Sequence, residues 1–252
     1  MKKPFFNAIM IFTVILIAVG GYFLIAHRLN IPPPSASIEG KKNLNVGYTE
    51  ESISVNPISE VWKSADFTKI HLYPQSARIP YGNSEKELLV KALYNDREIA
   101  FLLEFYDETE DRGGPVNPDA CAILFVPNDG PATAQMMGYG SKANVWQWLA
   151  DRDTEKYQKG NESIKTVREL IAHGPGTQTP MENQNVEGRG MHKDGKWAVV
   201  FKRDLKSNQE GEFEFKPGTD KNIAFAVWDG IKMESFSRKS ISILRTLTLE
   251  GK

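Results

Sequence analysis

The sequence predicts an all-β protein, an antiparallel β-sandwich with a few short helices. From about residue 57 onward, short segments in which apolar and polar residues alternate are separated by loops rich in Gly, Pro and Asp. Many short strands with turn residues between them are typical of antiparallel sandwiches. A separate apolar run at the N-terminus predicts one transmembrane helix ahead of the sandwich.

The N-terminal run covers residues 5–26 and is almost entirely apolar. Roughly 22 residues at about 1.5 Å each give about 33 Å, enough to cross a hydrocarbon layer of about 30 Å. Lys2 and Lys3 precede the run, which favours a cytoplasmic N-terminus and a globular part on the extracytoplasmic, periplasmic side of the cell membrane. The alternative is a cleaved signal peptide, which would release the protein into the periplasm.

Three regions follow from this pattern. Residues 1–28 are predicted to be a transmembrane anchor or signal segment, and residues 29–56 a linker that contains the stiff run Pro32-Pro33-Pro34. Residues 57–252 are predicted to form the sandwich domain.

The clearest strand pair is a hairpin. Residues 90–94 and 99–105 alternate on either side of the turn Asn95-Asp96-Arg97-Glu98, and the second segment places Ile, Phe and Leu on one face. Further strands are predicted at residues 121–126, 197–202, 223–228 and 241–249.

One helix and one long loop are predicted between the strands. Asn161 can cap a helix over residues 162–172, in which Val167 and Leu170 have helical spacing. Residues 174–195 are rich in Gly, Pro and Asn and are predicted to be a loop, which at that length is usually functional.

Composition excludes several functions. The formal net charge is −1, and beyond residue 28 there are 28 basic and 32 acidic side chains, which argues against nucleic-acid binding. The single cysteine, Cys121, excludes an internal disulfide, a Cys-rich metal site and covalent haem attachment, and it lies in an apolar run that predicts burial. No hydrolase or nucleotide-binding motif occurs, so no catalytic residue is predicted.

Two local patterns leave alternatives open. The acidic cluster Asp107, Glu108, Glu110 and Asp111 could hold a calcium ion or form a solvated turn. The second pattern, residues 136–148, combines two methionines, two glycines and two tryptophans. It could fill the core or contact a bulky flat ligand.

Four blocks of the sequence resemble the haem-binding γ subunits of type II dimethyl-sulfoxide-reductase-family molybdoenzymes. This group includes the third subunits of ethylbenzene, dimethyl sulfide, selenate and chlorate enzymes and related nitrite/nitrate oxidoreductase subunits. The blocks occur in the family's order, at residues 90–94 with 99–105, 118–122 with 137–138 and 144–148, 195–205, and 225–230 with 238–240.

The resemblance implies a sandwich that holds one non-covalent b-type haem, with a Met sulfur and a Lys amine as axial ligands of the iron. The family's Met precedes a Gly and matches Met137, with Met136 as the alternative. The family's Lys matches Lys239, and Lys232 and Lys202 are weaker candidates. A lysine binds iron only as the neutral amine, so its pKa must fall from about 10.4.

Three tryptophans, Trp146, Trp148 and Trp228, are candidates to flank the porphyrin, and simple core packing is the alternative for each. Trp146 and Trp148 share a face if their segment is extended.

Two filled axial positions imply a non-catalytic electron-transfer subunit. The expected partners are the iron–sulfur subunit and the molybdopterin catalytic subunit of one complex, with cytochrome c or the quinone pool as the external partner and the membrane contacted through the N-terminal helix. The sandwich itself is predicted to have an immunoglobulin-like or carbohydrate-module-like shape. The alternatives to electron transfer are a carbohydrate- or ligand-binding sandwich and a membrane-anchor subunit without haem.

Overall fold

The computed structural model describes residues 43–75, 86–126, 142–154, 165–173, 177–206 and 209–251. The predicted anchor, residues 1–28, and the two predicted haem-ligand methionines, Met136 and Met137, lie outside these ranges. Across the described ranges, no helix is both long enough and apolar enough to span a bilayer.

The described residues form thirteen strands and one short 3-10 helix, Glu60–Ser64, so the predicted all-β class is confirmed. In chain order the strands are β1 (Leu44–Tyr48), β2 (Thr68–Pro74), β3 (Lys86–Tyr94), β4 (Glu98–Tyr106), β5 (Ala120–Val126), β6 (Ala143–Leu149), β7 (Val167–Ala172), β8 (Thr179–Pro180), β9 (Glu187–Lys193), β10 (Lys196–Asp204), β11 (Lys221–Trp228), β12 (Ser240–Ile241) and β13 (Arg245–Leu249).

The strands make two layers. The first layer has the order β8-β7-β6-β5-β11, and β12 and β13 both pair with β11. The second layer has the order β2-β3-β4-β10-β9. Neighbours within both orders are antiparallel, whereas β1 runs parallel to β13 in one layer and to β3 in the other. The pairing of β12 with β2 is a second connection between the layers, so the sandwich is joined along one side.

The main core lies between the two layers and follows the predicted alternation. In the hairpin, Ile99, Phe101, Leu103 and Phe105 are all buried in this core, and the backbone N–H of Asn95 donates to the Glu98 carbonyl across the turn over 2.9 Å. Burying each such side chain contributes about 1.5–3 kcal/mol, which is why these alternating faces fix the layers together.

A second apolar cluster covers the outer face of the first layer. Its members come mainly from β5, β6, β7 and β11 and include six alanines: Ala120, Ala122, Ala143, Ala172, Ala224 and Ala226. Because both faces of this layer are buried, every residue of β5 is buried, including Cys121. This explains why residues 121–126 are a continuous apolar run instead of an alternating one.

The predicted helix over residues 162–172 is wrong in its described part, because Val167–Ala172 is β7 and pairs with β6. Val167 faces the core between the layers, whereas Leu170 and Ala172 belong to the outer cluster. The buried Glu169 interrupts the apolar alternation. The remaining apolar residues therefore matched a helical period by coincidence.

The predicted loop over residues 174–195 contains β8 and the seven-residue edge strand β9. All β9 residues except Met191 are polar or glycine and none is buried, so hydrophobic periodicity could not reveal this strand. β1 lies inside the stretch assigned to the linker, and the single strand predicted at residues 241–249 is divided between β12 and β13.

Candidate functional site

The described candidate residues fall on opposite faces of the first layer. Trp146 and Trp148 project into the core between the layers, whereas Trp228 belongs to the outer cluster. Lys239 lies beside Trp228, with its Nζ 5.1 Å from the centre of the Trp228 ring. The structure therefore brings Trp228 and Lys239 together and separates both from Trp146 and Trp148.

Trp146 and Trp148 share a face of β6, as predicted, and both are fully buried. The Trp146 Nε1 donates to Asn144 Oδ1 over 2.8 Å, and the Trp148 Nε1 donates to Asp153 Oδ2 over 2.9 Å. The Trp148 ring centre lies 4.8 Å from that of Trp197 in the facing layer. Both indoles fill the interior of the sandwich with their donors satisfied.

Lys239 ends the loop between β11 and β12, and its side chain turns into the protein. The residue is only 1% exposed, and its Nζ donates to the carbonyl oxygen of Phe236 over 3.0 Å. No carboxylate of the described residues lies within ion-pair distance of this amine. Burial alone therefore lowers the pKa of Lys239 to about 8.

The two weaker lysine candidates have different surroundings. Lys232 is 39% exposed and pairs with Asp229 over 2.8 Å, and although burial opposes the charge, Asp229 raises the pKa of Lys232. Lys202 lies in the second layer and pairs with Glu98 and Glu187. Both lysines therefore have carboxylate partners, whereas Lys239 has none among the described residues.

The loop around Lys239 has an unusual backbone. Met233 and Phe236 have φ angles of 55° and 51°, in the left-handed region that side chains other than Gly seldom adopt. The Phe236 carbonyl accepts hydrogen bonds from both Lys239 and Trp228, while its ring is 89% exposed. These buried donors hold the loop in its strained conformation.

A second group of ionisable residues lies at the other end of the same loop. Asp107, Asp119 and Asp229 are all buried, and one carboxylate oxygen from each lies within 4.8 Å of one oxygen of the other two. Of the acidic cluster seen in the sequence, Asp107 is thus buried, whereas Glu108 and Glu110 are exposed as in the solvated-turn alternative.

Sequence reasoning missed Asp119 and Asp229 because they are far from Asp107 in the chain. All three aspartates lie at the end of a strand. Asp107 directly follows β4, Asp119 directly precedes β5 and Asp229 directly follows β11. β5 and β11 are antiparallel neighbours, which places Asp119 and Asp229 side by side at one sheet end. The only sequence signal that could have indicated this cluster was the presence of an aspartate at the end of three predicted strands.

The electrostatics of the three aspartates differ. Burial, reinforced by the neighbouring charges of Asp119 and Asp229, raises the pKa of Asp107 to about 7. Burial also raises the pKa of Asp119, although three hydrogen-bond donors oppose the rise. Burial likewise opposes ionisation of Asp229, but the ammonium group of Lys86, 2.8 Å away, holds the pKa of Asp229 below its usual value.

A family match and two similar proteins all point to the same family. Residues 59–183 and 172–240 match the family described as ethylbenzene dehydrogenase. The chain is 31% identical over 236 residues to a provisionally named respiratory nitrate reductase heme subunit from Haloferax mediterranei, covering 91% of this chain and 76% of that protein. It is 25% identical over 197 residues to chlorate reductase subunit gamma from Ideonella dechloratans, covering 75% and 77% of the two chains.

Among solved structures, a provisionally named carbohydrate-binding protein from Bacteroides uniformis is similar in fold. Its TM-score is 0.52 at 10% sequence identity, and the match covers 83% of this chain and 99% of that one. At this identity the likeness concerns the sandwich-like fold alone.

Proposed function

The chain belongs to the ethylbenzene dehydrogenase family, the haem-binding γ subunits of type II dimethyl-sulfoxide-reductase-family enzymes, and from this premise we propose that it is an electron-transfer subunit carrying one b-type haem. The single observation that carries the proposal for this chain is the environment of Lys239. The relatives are a nitrate reductase haem subunit and a chlorate reductase γ subunit, so the coarse role is that of an accessory subunit of a reductase complex.

Lys239 suits an axial ligand of haem iron because its amine is easily deprotonated. An amine can donate its lone pair to a metal only when it is neutral. The fall of the Lys239 pKa from 10.5 to about 8 makes the neutral form about 3 kcal/mol more accessible than in an exposed lysine. Bound iron would favour the neutral form further through its positive charge.

The surroundings of Lys239 are apolar. Trp228, which touches Lys239, belongs to the same cluster as the alanines of β5 and β11, which are at most 4% exposed. A haem bound beside Lys239 would therefore have an apolar environment on this side. Met137, with Met136 as the alternative, is proposed as the second ligand from the family resemblance, and both lie outside the described residues.

Lys239 and a methionine would hold the haem iron, and the haem would supply one-electron transfer and no bond chemistry. Trp228, beside Lys239, would help to exclude water from the site. The proposed electron route runs between an iron–sulfur subunit, paired with a molybdopterin subunit, and cytochrome c or quinone. Residues 1–28 are proposed to anchor the chain in the cell membrane with the sandwich on the periplasmic side.

A carbohydrate-binding role is the second candidate, because the fold also occurs in a protein of that provisional name. Such a role expects exposed indoles as stacking platforms for sugars. The chain has five tryptophans, all within the described residues and all buried. The specific feature expected of this candidate is therefore missing from the described part of the chain.

The test is spectroscopy of the purified full-length protein. We expect the reduced protein to show a b-type α band that pyridine haemochrome assay identifies as one haem per chain. Lys239→Leu should remove the low-spin signal or shift the reduction potential, and Lys232→Leu, a control in the same loop, should change neither. Met137→Leu should resemble Lys239→Leu. A haem-free protein from haem-sufficient cells would refute the proposal, and identical spectra in all variants would refute the ligand assignment.

A further inference from the structure

We propose that Asp107, Asp119 and Asp229 bind a calcium ion that fastens the loop after β4 to the start of the loop between β11 and β12. The three carboxylates come from separate parts of the chain, so an ion between them would act as a cross-link. This inference does not depend on haem, because none of the three residues contacts Lys239.

The donor set suits calcium. One oxygen from each carboxylate lies within 4.8 Å of the other two, close enough for one ion to bind all three. Ca²⁺ takes about six to eight oxygen ligands in a flexible arrangement and accepts several protein carboxylates. Mg²⁺ usually keeps several waters and binds through one or two carboxylates. A set of three carboxylates from the protein therefore favours Ca²⁺.

Two buried oxygens at this site have no hydrogen-bond partner among the described residues. They are Oδ2 of Asp107, a residue that is 4% exposed, and Oε1 of Glu234, which is 1% exposed. The other oxygen of Glu234 accepts the backbone N–H of Asp229 over 2.9 Å, which places this carboxylate at the cluster. A buried acceptor without a partner destabilises the folded protein, and a bound cation would remove that cost.

The buried carboxylates at the site outnumber the ammonium groups. Four carboxylates are buried here, those of the three aspartates and of Glu234. They face two ammonium groups, because Lys86 and Lys232 each lie 2.8 Å from Asp229. If all four carboxylates are ionised, the site holds two uncompensated negative charges, which one divalent ion would neutralise.

Both lysines lie against Asp229, so among the described residues Asp107, Asp119 and Glu234 have no ammonium group within ion-pair distance. Asp119 already accepts three hydrogen bonds, from the N–H groups of Gly230 and Asp111 and from the Trp197 indole. Carboxylate oxygens have about four lone-pair sites, so Asp119 can still bind an ion while these donors hold it in place.

At Gly230, the loop between β11 and β12 is in close contact with the loop between β4 and β5, and there is no room for a side chain at this position. A Cβ at Gly230 would lie 2.1 Å from the Asn117 carbonyl oxygen and 2.7 Å from the Asp111 Cβ. An ion shared by Asp107 and Asp229 would therefore hold an interface that is already closely packed, and it would order the start of the loop that ends at Lys239.

Trp197 provides the readout. Its Nε1 lies 3.0 Å from Asp119 Oδ2, so a terbium ion bound at the site would be within energy-transfer distance of an indole. The full-length protein is treated with EDTA, freed of chelator and titrated with Tb³⁺ while tryptophan is excited. We expect sensitised terbium emission that Ca²⁺ displaces and that Mg²⁺ at the same concentration does not.

Asp107→Asn removes one charged ligand and should weaken Tb³⁺ binding at least tenfold. Glu108→Gln is the matched control, because Glu108 is the next residue but is exposed, and it should bind as the wild type does. Ca²⁺ should raise the Tm of the wild type and of the control, but not of Asp107→Asn. Absence of sensitised emission in the wild type, or equal binding by both variants, would overturn the proposal in favour of neutralisation by protons.

Discussion

Lys239 and Trp228 donate hydrogen bonds to the same acceptor, the carbonyl oxygen of Phe236, over 3.0 and 3.2 Å. This shared acceptor fixes a buried amine against an indole of the outer cluster. No acidic partner compensates the amine within the described residues, so its charge is costly in the folded protein. The first prediction follows from that cost.

The stability of the haem-free protein should rise with pH through the titration of Lys239. Its pKa is about 8 in the folded state and 10.5 when unfolded, so between these values the unfolded chain binds more protons. Lys239→Leu should abolish this rise and stabilise the haem-free protein at pH 7 by up to about 3 kcal/mol. Urea unfolding at pH 7, 8, 9 and 10 measures both effects. Lys232→Leu should retain the wild-type slope, and a flat wild-type profile would contradict the prediction.

Asp107 should produce the opposite slope when calcium is chelated. Its pKa is about 7 when folded and 3.8 in the reference state, so the folded protein binds more protons between these values. Stability in EDTA should therefore fall as pH rises from about 4 to about 7, by up to about 4 kcal/mol for complete ionisation. Asp107→Asn should flatten this part of the profile. Chemical unfolding at pH 5, 6, 7 and 8 measures it, and parallel profiles of wild type and variant would exclude Asp107 as the source.

Gly190→Ala should destabilise the sandwich because the edge strand β9 lies directly on Trp148. An added Cβ would be 2.2 Å from Trp148 Cζ2, and that indole is fully buried and cannot move aside. We expect a loss of about 1–3 kcal/mol, measured by urea unfolding. Gly47→Ala is the control, since its Cβ would meet Leu93 Cδ2 at 3.5 Å, an ordinary contact. Equal losses in both variants would show that the Trp148 contact is not the cause.

Arg203→Leu should be strongly destabilising because it leaves a buried carboxylate without its partner. The Arg203 Nη1 lies 3.2 Å from Glu169 Oε1, both side chains are at most 1% exposed, and the Arg203 Nη2 donates to the Phe213 carbonyl. Removing one partner of such a pair costs about 3–5 kcal/mol. Adding Glu169→Gln should recover part of this loss, as a double-mutant cycle by chemical unfolding would measure.

The control for this pair is Arg97→Leu. The side chain of Arg97 is 77% exposed although it contacts Glu98, so its removal should change stability by less than about 1 kcal/mol. If Arg203→Leu and Arg97→Leu have similar effects, the buried pair contributes no more than a surface contact.

The hairpin and its neighbours were predictable because their physics is local. In β4, every second residue from Ile99 to Phe105 is a large apolar residue that packs in the core between the layers, and that period of two can be read directly from residue types. β7 and β9 were not predictable in this way. The first contains the buried Glu169, whose partner Arg203 is distant in sequence, and the second is a polar edge strand whose order comes from pairing with β10.

The sequence by itself determined the β-rich class, the alternating core faces and the family resemblance, because these depend on residue types at short spacings. Only the tertiary structure decided that Lys239 is buried beside Trp228 with no acidic partner among the described residues. It also decided that Asp107 of one layer meets Asp119 and Asp229 of the other at one end of the sandwich. The physical reason is that desolvation and uncompensated charge depend on which distant segments the fold brings together. No local pattern in the chain encodes which segments become neighbours.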